Sequence, residues 1–179
     1  MTENSADGNS VAEEEEPQVP EVPVPDDIVE MLGDAIVEAS VSGTSVNLTL
    51  KAEGLVEAIT ALRDREAGAY NFLANLCGID HGEELGVAYH IYQLGKPEHV
   101  AIHVRVPREE PVVPSLASVF RAANWNEREA AEMYGIVFES HPDPRKLLLP
   151  DDWEGFPMRK DYEIPDHPYL RPDPTHELG

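Results

Sequence analysis

Between positions 124 and 145 the sequence gathers groups that could do chemistry. The stretch NWNEREAAEMY (124–134) holds Glu127, Arg128, Glu129, Glu132 and Tyr134, and His141 and Arg145 follow. Glu129 and Glu132 are three apart, as helical metal ligands can be. Di-iron helices, however, use repeated Glu-x-x-His motifs, and this chain has none. His99 and His103 are four apart, which on a helix would place two imidazoles on one face. Their surroundings, HVAIHVRV, alternate apolar and polar residues as a strand does. Strand residues four apart are separated by ~13 Å and cannot share an ion. His81, His90, His141, His167 and His176 fall at no ligand spacing. No intrinsic metal site is expected.

Covalent and cofactor chemistry are equally unsupported. There is no Gly-x-Ser-x-Gly nucleophile elbow. The single cysteine, Cys77, sits in the apolar stretch NFLANLCGID, without the positive surroundings that activate a thiolate, so a buried structural cysteine is expected. One thiol forms no intrachain disulfide and cannot hold an iron–sulfur cluster alone. Gly78, Gly82 and Gly86 lack the spacing of a dinucleotide-binding loop. Catalytic, cofactor-binding and metal residues are therefore all expected to be none. What is left is non-covalent. Arg128 and Glu132 can pair at i, i+4, for about 0.2–0.5 kcal/mol on an exposed face. Glu127 and Glu129 suit the positive end of a helix dipole.

These residues need elements to position them. DDIVEMLGDAIVEA (26–39) has helical spacing at Ile28, Val29, Leu32, Ile36 and Val37, with Asp26 or Asp27 as an N-cap. SVNLTL (45–50) alternates like a half-buried strand. GLVEAITALRDRE (54–66) returns to helical period through Leu55, Ile59 and Leu62, and Gly68 follows as a stop. NFLANLCGID (71–80) fits either a short helix running into a strand or one strand. GVAYHIYQL (86–94) and HVAIHVRV (99–106) read as an antiparallel hairpin around Gly95 and Pro97, with Val100, Ile102, Val104 and Val106 on its buried face. SLASVFRAANW and NEREAAEMY read as two short helices, capped by Ser115 and by Asn124 or Asn126.

The ends differ from this middle. Residues 1–25 include Glu13 to Glu16 and four prolines, with few large apolar groups, and read as a disordered acidic tail. Eight of the 16 prolines fall from Pro142 onward, a density that forbids continued helix or central strand. Yet that segment carries Leu147 to Leu149, Trp153, Phe156, Met158, Tyr162 and Tyr169. Such a segment suits wrapping over a surface with aromatic anchors. The expected fold is thus α+β: one domain with a small mixed or antiparallel sheet of about four strands flanked by helices, and an extended proline-rich tail. Its parts are the acidic tail 1–25, a core 26–140 and a partner-wrapping segment 141–179.

The 179 residues carry a formal net charge of −22. Ten acidic residues lie between Met1 and Glu30, and the first basic residue is Lys51. Nucleic-acid binders show a basic stripe, so nucleic acid is not expected as a partner. Anionic lipid would be repelled, and basic partners favoured. No secretory signal and no spanning apolar run is legible. A cytoplasmic chain, or a water-exposed part of something larger, is expected.

One pattern is specific. Glu127-Arg128-Glu129, Glu132-Met133-Tyr134, His141, Arg145 and Leu147-Leu148, at this spacing, resemble the signature of the hydrophilic C subunit of respiratory complex I. That is the NADH-quinone oxidoreductase 30-kilodalton subunit family. LLLPDDWEGFPMRKDY (147–162) resembles the same family's C-terminal hallmark. Pro144 and Lys146 depart from the common residues there. The resemblance implies an α/β-type subunit with no redox centre, part of an NADH:quinone oxidoreductase and with no catalytic residue of its own. FMN, iron–sulfur clusters, NADH and quinone would be handled by other subunits. It implies packing on the D subunit of complex I, which resembles a hydrogenase large subunit, at the quinone end. The B subunit and other peripheral-arm subunits would lie near by. The location implied is the cytoplasmic side of the membrane, reached indirectly through the complex, whose membrane arm pumps ions. Glu127, Arg128, Glu129 and Glu132 are then expected as a charge-paired contact patch, with Tyr134 in the signature. His141, Arg145, Arg159, Lys160 and Asp161 are expected as polar contacts, and Trp153, Phe156 and Tyr162 as anchors. The alternative use of the same residues, as a brace for the tail within this chain, stays open. Related modules occur in membrane-bound nickel–iron hydrogenases and in coenzyme F420- or ferredoxin-linked dehydrogenases. A stand-alone interaction module is the rival from another class.

Overall fold

The computed structural model describes residues 24–43, 45–66, 68–97 and 99–163. Most of the expected acidic tail, and the end of the proline-rich segment with Tyr169, lie outside the described residues.

A short helix α1 (Asp26–Leu32) opens the described chain and buries Ile28 and Leu32. Its N-cap is Pro25 with no side-chain cap, so neither Asp26 nor Asp27 caps it. The helix does not run to residue 39, as its spacing suggests it should. Gly33 takes φ of 47°, a conformation few side chains tolerate. One 3-10 turn later the chain extends into strand β1 (Ile36–Ser42). Ile36 and Val37 therefore belong to a strand.

β1 pairs antiparallel with β2 (Ser45–Leu50), and β2 pairs parallel with β5 (His99–Pro107). β5 pairs antiparallel with β4 (Glu84–Tyr92), and β4 with β3 (Phe72–Asp80). The sheet has five strands in the order β1-β2-β5-β4-β3. That is one more than expected, because the start of β1 carries on the helical spacing of α1. β3 is one strand from Phe72 to Asp80. Between β2 and β3 lies α2 (Leu55–Asp64), which buries Leu55, Ala58, Ile59 and Leu62. Its C-cap is Arg65, so it stops short of Gly68.

One face of the sheet carries the core. Leu48, Val87, Tyr89, Ile91, Val100, Ile102 and Val104 pack there against the buried faces of the helices. The opposite face carries Ser45, Asn47, Thr49, His90, His99, His103 and Arg105, and Tyr92 stacks on His99 at 4.6 Å. Cys77 is exposed, not buried. The register of β3 slips between Leu73 and Asn75, so Leu73 and Leu76 point inward three residues apart and Cys77 turns out.

After β5 come a second, two-stranded parallel sheet and the helix inside it. β6 (Val112–Pro114) pairs with β7 (Val137–Glu139). The crossover between them contains α3 (Ala123–Tyr134). Residues 116–122 form turns rather than a first short helix. Asn124 and Asn126 lie inside α3 and cap nothing. α3 ends at Gly135, whose φ of 73° closes the helix through its N–H to the Ala131 carbonyl.

Candidate functional site

α3 is amphipathic in an unusual sense: three of its charged side chains are occupied by other parts of the chain. Glu127 is 0% exposed. Its carboxylate accepts the Ser115 hydroxyl at 2.5 Å and the Leu116 N–H at 2.6 Å. Burial pushes the Glu127 carboxyl above its ordinary range, and the two hydrogen bonds and His141 oppose that push. The Ser115 hydroxyl also accepts the Ala117 N–H at 3.1 Å. Ser115 thus fastens a turn to α3 and starts no helix.

Arg128 and Glu132 do not pair with each other. The guanidinium of Arg128 donates to the carbonyls of Arg145 at 2.8 Å and Lys146 at 2.9 Å. Glu132 accepts three consecutive backbone N–H groups: Leu147 at 3.0 Å, Leu148 at 2.9 Å and Leu149 at 2.7 Å. A cation on carbonyls and an anion on N–H groups together fix five residues of a segment that has no ladder of its own. Glu132 is buried, which raises its carboxyl, but the three N–H groups outweigh this and hold it below the usual range.

His141 marks where the chain turns onto α3. Its Nδ1 accepts the Asp143 N–H at 3.0 Å, so Nε2 carries the proton and donates to the Asn124 carbonyl at 3.0 Å. Nε2 also lies 3.7 Å from the Glu127 carboxylate. Arg145 forks onto Asp143 at 2.6 and 2.8 Å, with its side chain 81% exposed. Lys146 donates to the carbonyls of Pro150, Asp151 and Trp153 and closes the loop.

The segment 141–163 forms a strap, which next crosses the end of α3. Met158 N–H reaches the Met133 carbonyl at 3.1 Å. Arg159 donates to the Tyr134 carbonyl at 2.6 Å and covers the Phe156 ring at 4.6 Å. A side chain at Gly135 would strike both Phe156 and Arg159. Tyr162 donates to the Glu154 carbonyl at 3.2 Å. Tyr134 lays its ring on Gly78 of β3, where an added Cβ would lie 2.4 Å from the ring. Trp153 is half-buried beside Arg128, Arg145 and Phe156.

The last fastening joins Lys160 and Asp161, expected as polar contacts, to Asp80 and Arg108, which the sequence pattern does not single out. Asp80, at the end of β3, accepts the N–H of Gly82, the guanidinium of Arg108 and the N–H of Lys160, each at 2.8 Å. Arg108 also pairs with Asp161. Burial raises the Asp80 carboxyl, and these donors more than reverse it, holding it at about 2. The Asp-x-Gly at 80–82 is a turn signal, and it is the one legible hint. Ser115, which reads as a helix cap, and Arg108 carry none.

The site binds chain to chain. Among the described residues no group of three or more His, Cys, Asp or Glu side chains could hold a metal. The sequence pattern of the family described as respiratory-chain NADH dehydrogenase, 30 Kd subunit, matches residues 48–168. The chain belongs to that family. A NADH-quinone oxidoreductase C subunit from Chloroherpeton thalassium is 39% identical over 140 residues, covering 76% of this chain and 58% of that protein. One from Chlorobium phaeobacteroides is 43% identical over 106 residues, covering 58% of this chain and 64% of that protein. The chain thus spans less than two thirds of these two relatives. A chain of the archaeal membrane-bound sulfane sulfur reductase, a respiratory membrane complex, shares the fold with a TM-score of 0.67. It is 19% identical and is covered over 83% of its length, with 78% of this chain. The family match includes α3, the strap and the fastening at Lys160, so this clasp of helix on strap lies in the part of the chain that matches the family.

Proposed function

We propose that this chain is a non-redox, peripheral-arm subunit of a proton-translocating NADH:quinone oxidoreductase. It packs on the D subunit near the quinone site, with the B subunit and other peripheral-arm subunits as neighbours. It supports assembly and the passage of electrons from NADH to quinone while binding no cofactor itself. FMN and iron–sulfur clusters belong to other subunits in this reading. The chain sits on the cytoplasmic side of the membrane, held through the complex. Among the described residues no helix is long and apolar enough to cross a membrane.

The observation that carries this reading is the strap, in a chain of this family. α3 spends Arg128 and Glu132 on fixing the backbone of 145–149. That leaves side chains of the strap facing outward: Arg145, Leu148 at 62% exposed and Met158 at 55% exposed. A pre-fixed, irregular segment bearing arginine and apolar side chains is what a partner surface can grip without first ordering it. Lys160 and Phe156 are exposed on the same segment.

The test is a mild-detergent pull-down of the tagged chain from native membranes, with co-purifying subunits identified and NADH:quinone activity assayed. Flavin and iron–sulfur subunits with inhibitor-sensitive activity are expected. Arg145→Ala should cut recovery of the complex while leaving the thermal midpoint of the isolated chain within about a degree or two, since its side chain is almost free of the fold. A nickel–iron partner with hydrogen-linked activity would move the chain to the related hydrogenases. Recovery of the chain alone would overturn the subunit reading.

A further inference from the structure

Of the three carboxylates in the signature helix, two are absorbed by the chain itself. Glu127 holds Ser115 and Leu116, and Glu132 holds the strap. Glu129 is exposed and has no hydrogen bond or ion pair among the described residues. It stands at the rim of an open groove between α3 and the edge strand β3, about 260 Å³ in volume. The lining is largely apolar: buried Leu76 and Ala130, half-buried Met133 and exposed Met158. Cys77, Gly78, Asn126 and Tyr134 complete the lining.

We infer that this groove receives a cationic side chain, arginine or lysine, of a partner polypeptide in the complex. The inference rests on the subunit reading above and adds a second contact, which meets the outward side of the strap at Met158. Charge and shape agree on the occupant. An arginine or lysine lays an aliphatic stem on apolar surface and keeps its charged end at a polar rim. Methionine linings adapt to such stems, and a carboxylate gives a charge-assisted hydrogen bond to the head. Four basic side chains of α3 and the strap are already engaged. Arg128 and Arg159 are held by backbone carbonyls, Arg145 by Asp143 and Lys146 by three carbonyls. A chain this acidic favours basic counterparts in general, and here one carboxylate is left over at a cavity.

Cys77 reports on the groove directly. The tagged full-length chain, alone and within the complex recovered from native membranes, would be treated with a small maleimide, and the Cys77 peptide quantified by mass spectrometry. Glu129→Gln and Glu129→Lys chains would be recovered in parallel at rising salt. Within the complex, labelling of Cys77 is expected to slow at least tenfold. Glu129→Gln should lower recovery of the complex several-fold, and Glu129→Lys should lower it further, with unchanged thermal midpoints. An intact complex in which Cys77 labels as fast as in the free chain overturns this inference and leaves the subunit reading standing. Protection of Cys77 with full recovery of the Glu129→Lys complex shows an uncharged occupant and also overturns it. A chain recovered with no partner overturns both.

Discussion

Leu48 in β2 and Leu148 in the strap are the same residue type in opposite circumstances. Leu48 is 0% exposed and Leu148 is 62% exposed. Leu48 is placed by its side chain, which packs in the core with Ile102 and the helices. Leu148 is placed by its backbone, whose N–H is taken by Glu132. The sheet region is held by apolar burial, which is non-directional and scales with area. The strap is held by directed hydrogen bonds from α3 and β3, which leave the side chains of Leu148 and Met158 exposed. A segment fixed through its backbone can offer its side chains to something else, and a segment fixed through its side chains cannot.

The comparison breaks first where burial is removed. Leu48→Ala deletes a fully buried side chain in the middle of the parallel β2–β5 pair. Such truncations cost about 2–5 kcal/mol. The thermal midpoint of the whole domain should fall by many degrees, with sheet and strap melting together. If the strap were as dependent on its side chains as the sheet, Leu148→Ala would do the same. It is expected to leave the midpoint almost unchanged, as exposed substitutions do.

Glu132→Ala attacks the other kind of support. It strands three N–H groups that can turn to water, so the loss is local, roughly 1.5–3 kcal/mol for bonds to a charged acceptor. The Lys146–Leu147 peptide bond then leaves its clamp, and trypsin cleavage there should quicken ~10–100-fold with a small change in global midpoint. Equal losses in cleavage protection and global stability would dissolve the distinction between the two regions.

The same distinction explains what is legible in the sequence. Strands at 45–50, 86–94 and 99–106 show themselves by alternation, because burial of one face imposes a period of two. α2 shows itself through Leu55, Ile59 and Leu62 in the same way. The clasp has no such period. Glu127, Arg128 and Glu132 find partners 11 to 18 positions away, and most of those partners are backbone groups that every residue carries. The charges could equally have paired along the helix or met another protein. The α1–β1 boundary is hidden because Ile36 and Val37 continue the spacing of Ile28 and Leu32 by coincidence, while Gly33 decides the turn. The exposure of Cys77 is hidden because a register slip, invisible in composition, reverses the phase of β3.

Gly78→Ala tests the seam where the two regions meet. The added methyl would lie 2.4 Å from the Tyr134 ring, so α3 must shift off β3. Overpacking of this kind costs about 1–3 kcal/mol. Tyr134→Ala in the same chain should recover most of that loss by making room, a non-additivity that neighbours show and distant residues do not. Simple addition of the two losses would mean that the ring and the glycine are not in contact.

The smallest effect is the most discriminating, because two buried carboxylates should respond to acid with opposite signs. Asp80 is held at about 2, below its ordinary 3.8. A depressed carboxyl contributes stability that is fully present above the unfolded value and is lost as pH falls through the folded one. The strap fastening at Lys160 should therefore weaken as the pH falls from 3.8 to about 2. Glu127 is raised from its ordinary 4.5, chiefly by burial. Its contribution is present below the unfolded value and is lost as pH rises through the folded one. Thermal midpoints of the parent, Asp80→Asn and Glu127→Gln chains would be compared from about pH 7 down to about pH 2, so that the scan runs through the Asp80 transition and starts above the ordinary range of Glu127. The deficit of Asp80→Asn should shrink as the pH falls, because the parent is losing the same fastening. Any deficit of Glu127→Gln should grow as the pH falls through the upper part of that range, because the parent sheds the cost of a buried charge. Two parallel curves would mean that both carboxylates serve the fold in one way, and the contrast between a directed fastening and a buried brace would fail at its most sensitive point.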